Sequence, residues 1–250
     1  MRKVGHPVAV NPCDTLAAEA QARGWPRLDF SSRGLPRLEH VARTALAAQS
    51  MLLATAVGMV GKRLGLDSHI NANTLTRMVG DMGVGFAGLD IEVEGRDNLF
   101  RERPAIFVFN HQSLLDSLVL AHVLRKDVVG LCKREMAGNP LVGPLLRQVD
   151  TIFVDRDDRD QSEVLRKAVS VLRGGRSLVI APEGTRSTLG GIQPFKHGAF
   201  LLARKAGVPI VPIVLHNVKD ALPKGAKVLR PATIRVTVLP PLPPQQINSI

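Results

Sequence analysis

At 250 residues the chain is long enough for one large core, or a core with an appendage, and too long for a disulfide-stapled miniprotein. Hydrophobic residues at 45% and charged residues at 22% sit near ordinary globular usage, which excludes disorder and collagen-like or coiled-coil architectures. Lys and Arg number 33 against 22 Asp and Glu, and the net charge of +11 favours partners that carry phosphate. With no Tyr and one Trp the stacking platforms of a single-strand binder are poorly supplied, so an anionic bilayer surface or a phosphorylated substrate is expected and nucleic acid is not. Cys13 and Cys132 stand alone, without C-x-x-C or a Cys/His cluster at ligand spacing, so no metal site or redox motif is expected. The first residues lack a secretory signal pattern, and an intracellular protein is expected.

The first segment holds one extended run and one helix-like stretch, Thr15 to Arg23, punctuated by Gly24-Trp25-Pro26, which is too little to bury a core. Gly5-His6-Pro7-Val8-Ala9-Val10-Asn11-Pro12 and then Ala22-Arg23-Gly24-Trp25-Pro26 resemble the last strand and helix of a haloacid-dehalogenase-type phosphatase related to phosphoserine phosphatase. The resemblance implies that residues 1–34 are the severed end of a larger two-enzyme polypeptide. The D-x-D nucleophile motif of that family is absent, so no phosphatase activity is assigned. An ordinary N-terminal arm is the alternative.

Residues 35–88 read as a helical, membrane-associating segment. From Thr44 to Gly61 there are 18 residues without a charge, which as a helix span about 27 Å, near the lower limit for crossing a bilayer. Leu46, Leu53, Val57 and Val60 recur on one side, and Arg37, Arg43, Lys62 and Arg63 flank the stretch. An apolar stripe with cationic ends fits a helix lying in the headgroup region, although a buried core helix carries a similar pattern. A second helix is expected over Asn73 to Met82. Gly83-Val84-Gly85-Phe86-Ala87-Gly88 is a literal G-x-G-x-x-G but follows a helix and precedes a strand, the wrong order for a dinucleotide fingerprint.

After strand-like Leu89 to Val93, strand-like runs alternate with helical patterns from Arg103 onward. The runs are Leu89 to Val93, Ala105 to Phe109, Val128 to Cys132, Thr151 to Val154, Ser177 to Ala181, Val208 to His216 and Thr233 to Leu239. Helices are expected over Leu114 to Arg125, Gln161 to Leu172 and Phe195 to Ala206. This predicts an α/β fold with a mixed, largely parallel sheet flanked by helices, occupying residues 89–250.

Two clusters fall where strands hand over to helices. After Ile106 to Phe109 comes Asn110-His111-Gln112-Ser113-Leu114-Leu115-Asp116. His111 and Asp116, five apart, can meet only if His111 precedes the helix and Asp116 sits in its first turn, with Ser113 as N-cap. A carboxylate on one ring nitrogen fixes the tautomer of a general base; the alternative is a capping-box variant in which Asp116 serves the helix start. After Leu178 to Ala181 comes Pro182-Glu183-Gly184-Thr185-Arg186-Ser187, where a glycine allows close approach and Arg186 can fork two donors onto a phosphate.

These two clusters, with Phe153-Val154-Asp155-Arg156 between them and Val208-Pro209-Ile210-Val211-Pro212-Ile213 after, resemble the four ordered blocks of the glycerolipid acyltransferase family, in particular the bacterial 1-acylglycerol-3-phosphate acyltransferases. Ala181 stands where that family often has Phe. The resemblance implies His111 as general base, Asp116 as its orienter, and Glu183, Gly184, Thr185 and Arg186 as the acyl-acceptor site. Arg156, and Lys133 in Cys132-Lys133-Arg134-Glu135-Met136, are implied to aid the phosphate; solvated charges are the plain alternative for both. Direct transfer from acyl-CoA or acyl carrier protein to lysophosphatidate is expected at the cytoplasmic face of a membrane, without metal or resident cofactor, since no G-x-S-x-G elbow or reactive Cys motif occurs. Backbone N–H groups near Gly184 or at Ser113 are candidates to hold the oxyanion. The same fold acting on glycerol 3-phosphate or another lysolipid, and a non-catalytic basic lipid-binding module, are the rival expectations.

Overall fold

The computed structural model of the chain describes residues 7–10, 12–28, 37–155, 160–186, 191–223 and 225–247. It divides into two compact units, Met1–Arg37 and Leu38–Ile250. In the first, β1 (Ala9–Val10) and β2 (Arg27–Leu28) pair in parallel across α1 (Asp14–Ala22), with Ala9 opposite Arg27.

The second unit begins with two long helices, α2 (Leu38–Arg63) and α3 (Ser68–Ala87), and continues through β3 (Leu89–Glu94), α4 (Asn98–Arg101), β4 (Ile106–Phe109), α5 (Asp116–Leu124) and β5 (Val128–Lys133). A 3-10 turn (Arg134–Gly138), α6 (Gly143–Gln148), β6 (Ile152–Val154), α7 (Ser162–Arg173), β7 (Ser177–Ile180), α8 (Gly198–Ala206), β8 (Ile210–His216), α9 (Val218–Ala221), β9 (Ala232–Val238) and α10 (Pro244–Ile247) complete it. Seven strands form one sheet in the order β3-β9-β8-β4-β7-β5-β6, parallel at every pairing except β8 with β9. The expected mixed, mostly parallel sheet flanked by helices is therefore what forms.

Alternation along the strands sends side chains to both faces. Phe107, Val211, Ile213 and Leu215 join one core with Leu75 of α3 and Leu118 of α5; Ile106, Val108, Leu178 and Ile210 join another with Leu172 of α7 and Leu202 of α8. Each such side chain, at 0–6% exposure, contributes about 1.5–3 kcal/mol of apolar burial. Covered on both faces, β4, β7 and β8 carry near-continuous apolar runs and hold polar groups at their ends, whereas β3 and β9 expose Asp90, Glu92 and Arg235 on one face.

α3 starts five residues earlier than the sequence suggests, because Asp67 accepts hydrogen bonds from the N–H groups of His69 and Ile70 at 2.9 and 3.1 Å. It also runs on through most of the G-x-G-x-x-G run, in which Gly83 packs against α5 and Gly88 is the left-handed cap that ends the helix. A methyl on Gly83 would come 2.4 Å from Leu118 Cδ1, and one on Gly80 would come 2.5 Å from the backbone nitrogen of His122. Gly80→Ala should lower stability by up to about 2 kcal/mol in thermal unfolding, since overpacking against rigid backbone costs about 1–3 kcal/mol and alanine recovers only about 1 as helix propensity. Gly85→Ala, with open space around its Cβ, should raise the melting temperature instead. A lower melting temperature for Gly85→Ala would reject this account.

Polar clasps also tie α3 to α5 and to the start of β5. Asp81 takes both Arg125 guanidinium nitrogens at 2.8 and 2.9 Å and lies 2.9 Å from His122 Nδ1; Asn73 exchanges two hydrogen bonds with Asp127. Burial raises the Asp81 carboxyl, and the bonds and charge of Arg125 and His122 outweigh it, leaving it below the ordinary carboxylate range.

α2 packs on α3 in an inverted manner. Its buried residues are Ala47, Ser50, Ala54, Thr55, Gly58 and Gly61, whereas Leu46, Leu53, Val57 and Val60 are 38–54% exposed. Small residues face the protein and the large apolar ones face outward. Leu64, Leu66 and Ile70 extend the exposed apolar surface around the turn into α3. By length and composition α2 is apolar enough to cross a membrane.

Candidate active site

β4, β7, β5 and β6 are parallel neighbours, so the residues that follow them gather along one sheet edge. His111 follows β4, Glu183 follows β7, Lys133 ends β5, and Asp155 follows β6. Lys133 stands in register with Val154.

His111 precedes α5 and Asp116 opens it, the one arrangement in which the two can meet. His111 Nδ1 lies 2.6 Å from Asp116 Oδ2, and Asp116 is completely buried. The same oxygen accepts the backbone N–H groups of Gln112 at 2.7 Å and Ser113 at 3.0 Å. One atom thus makes both contacts that the spacing allows, with the ring of His111 and with the helix start. With Nδ1–H donated to a carboxylate, Nε2 is left as the basic nitrogen. The His111 side chain is 24% exposed and its ring meets Phe109 edge-on, centroids 5.7 Å apart.

Ser113 does not cap α5, a correction to the sequence reading: Leu115 occupies that position without a side-chain cap. The Ser113 hydroxyl accepts from the Leu115 N–H at 3.3 Å and donates to the Leu222 carbonyl at 3.1 Å. The turn that carries His111 uses up two residues that periodicity alone assigns to the helix. Asn110 fastens its other side, donating to the Leu215 carbonyl at 3.0 Å and accepting the Leu215 N–H at 2.7 Å. Gln112 Nε2 also donates to Leu215, at 2.8 Å. Leu215 lies on β8, the strand that the Val208 to Ile213 run leads into.

Glu183 is 4% exposed and faces inward. Its Oε1 accepts the His111 backbone N–H and its Oε2 the Gln193 backbone N–H, both at 2.8 Å. The acceptor-binding role expected from sequence is not what these contacts favour, because each oxygen already serves main chain. Gly184 has φ +70°, a left-handed conformation suited to glycine, and a methyl there would come 3.0 Å from Lys196 Nζ. Thr185 is exposed, and Arg186 is half-buried with no hydrogen-bond or ion-pair partner among the described residues. Lys196, whose N–H donates to the Pro182 carbonyl at 2.9 Å, is a cation at this turn that sequence reasoning missed. Its only signal was a place just beyond the Pro182 to Ser187 run.

Lys133 reaches Glu135 at 2.6 Å, an exposed pair worth about 0–1 kcal/mol and so easily exchanged for another anion. Arg156 and Ser187 lie outside the described residues. Of the backbone donors around Gly184 and at the Ser113 helix start, the Ser113 N–H is engaged on Asp116 and the Gly184 N–H on the Ala181 carbonyl at 3.0 Å.

A histidine held by a buried carboxylate at the carboxyl ends of parallel strands is an arrangement suited to proton transfer, and comparison with known proteins gives the class. Residues 90–216 match the acyltransferase family, and the chain belongs to that family. Among its relatives, the 1-acyl-sn-glycerol-3-phosphate acyltransferase of Limnanthes alba is 33% identical over 172 residues, covering 68% of this chain and 60% of that protein. The 1-acyl-sn-glycerol-3-phosphate acyltransferase alpha of Homo sapiens is 36% identical over 163 residues, 64% of this chain and 58% of that protein. The crystal structure of the 1-acyl-sn-glycerophosphate (LPA) acyltransferase PlsC from Thermotoga maritima is similar with a TM-score of 0.65 and 25% identity, covering 81% of this chain and 87% of that one. The chain spans about 60% of the length of the curated relatives it matches first.

Proposed function

We propose that the chain moves a fatty acyl group from acyl-CoA or acyl carrier protein to the free hydroxyl of 1-acylglycerol 3-phosphate, giving phosphatidate. The observation that carries this reading is the 2.6 Å contact between His111 Nδ1 and a completely buried Asp116. An alcohol is a poor nucleophile until a base takes its proton during attack. His111 Nε2 takes that proton as the oxygen adds to the thioester carbonyl; Asp116 steadies the imidazolium, which returns the proton to the departing thiolate. No acyl-enzyme is involved, and the thioester is a co-substrate rather than a resident cofactor.

Arg186 binds the acceptor phosphate, with Lys133 and Arg156 assisting. The outward apolar side of α2 seats the chain on the cytoplasmic face of an anionic bilayer, and the net charge of +11 adds attraction to it. Both substrates are then met where they reside. The names of the relatives support lysophosphatidate over glycerol 3-phosphate as acceptor.

The purified protein should acylate 1-acylglycerol 3-phosphate faster than glycerol 3-phosphate or uncharged monoacylglycerol. In the same assay Arg186→Ala should raise the acceptor KM by roughly 10-fold or more, as expected for a lost charged hydrogen bond, and change the acyl-CoA KM less than about two-fold. An equal rise for both substrates would reject the phosphate assignment, and a preference for glycerol 3-phosphate would replace the acceptor.

A further inference from the structure

The N–H groups of His111, Gln112 and Ser113 are successive, and all three end on carboxylates: the first on Glu183, the next two on Asp116. Asp116 belongs to the same loop and helix as His111. Glu183 does not: it sits in the turn that follows the neighbouring strand β7 and reaches across to the loop after β4.

A carboxylate at 4% exposure is costly to bury without partners. Glu183 makes no ion pair among the described residues; the partners described for it are two main-chain N–H groups. The two bonds, each 2.8 Å, are charge-assisted and stronger than neutral ones. They join three segments: the loop with His111, the turn with Gly184 and Arg186, and the stretch that leads through Gln193 to Lys196.

We propose that Glu183 is a positioning residue for His111 and not a ligand of the acyl acceptor. Asp116 fixes the imidazole by its ring, and Glu183 fixes the same residue by its backbone, so the base is held at both ends. Removal of the carboxylate frees the His111 main chain to shift, and a displacement near 1 Å at a reacting group costs up to about 100-fold in rate. The turn that presents Arg186 to the phosphate is also the turn that sets the base. This inference rests on His111 being that base.

The test is a double-mutant cycle of Glu183→Gln and His111→Ala in the full chain, with steady-state kinetics on lysophosphatidate and acyl-CoA and thermal unfolding of every variant. Glu183→Gln keeps the shape but turns an NH2 group toward a backbone N–H. It should lower kcat by about 10- to 100-fold, leave the acceptor KM within about two-fold, and have no further effect on the residual rate of His111→Ala. Acceptor binding by Glu183 would instead raise KM, and a merely structural role would lower the residual rate of His111→Ala as well; either result overturns the proposal. Should Glu183→Gln not fold, Glu183→Asp, which keeps the charge and loses the reach to both amides, is read in the same way. Full turnover by His111→Ala alone would sink the general-base reading itself, a result separable from both.

Discussion

His111→Ala should reduce acyl transfer to lysophosphatidate by about 10³- to 10⁴-fold, while the chain stays folded and sedimentation with anionic vesicles stays as in the parent chain. The asymmetry follows from the geometry. The ring is 24% exposed, and its contacts are one carboxylate and the edge of Phe109, so little packing is lost. What disappears is the basic Nε2, and nothing else described at this sheet edge is a carboxylate-held imidazole. A variant within tenfold of the parent kcat would show that the alcohol loses its proton elsewhere.

Asp116→Asn should lower kcat by about 10²- to 10⁴-fold with the loop still in place. The amide oxygen can inherit the three donors now held by Oδ2, so His111 keeps its tautomer and the helix start keeps its anchors. The NH2 group falls where Oδ1 stands, a buried atom with no partner among the described residues, at a cost of about 1–3 kcal/mol in stability. The charge that steadies the imidazolium is gone. A variant with unchanged kcat but lower melting temperature would leave Asp116 as a helix anchor only. Kinetics and thermal unfolding on the same preparation separate the two.

The fold was largely legible because strands buried on both faces need unbroken apolar runs. Ile106 to Phe109 and Ile210 to His216 announce themselves for that reason. Short elements such as α4, α6, α9 and α10, at four to six residues, have too few turns to show a period, and the sequence reading passed over them. Of the site, the pairing of His111 with Asp116 could be reasoned from spacing, since only one placement of the helix start allows it. The inward turn of Glu183 could not, because its partners are backbone amides 72 residues upstream and 10 downstream, and an amide has no letter in the sequence. The orientation of α2 was also open: Leu46, Leu53, Val57 and Val60 form a stripe that either core or lipid could cover, and the small residues opposite decide which side faces α3.

Three consecutive amides tethered by two acids leave the segment around His111 little freedom to rearrange. Its ordering is completed once, when the chain folds. In the proposed reaction the base therefore meets its alcohol already aimed, and the entropy of aligning it is no part of the barrier to each turnover.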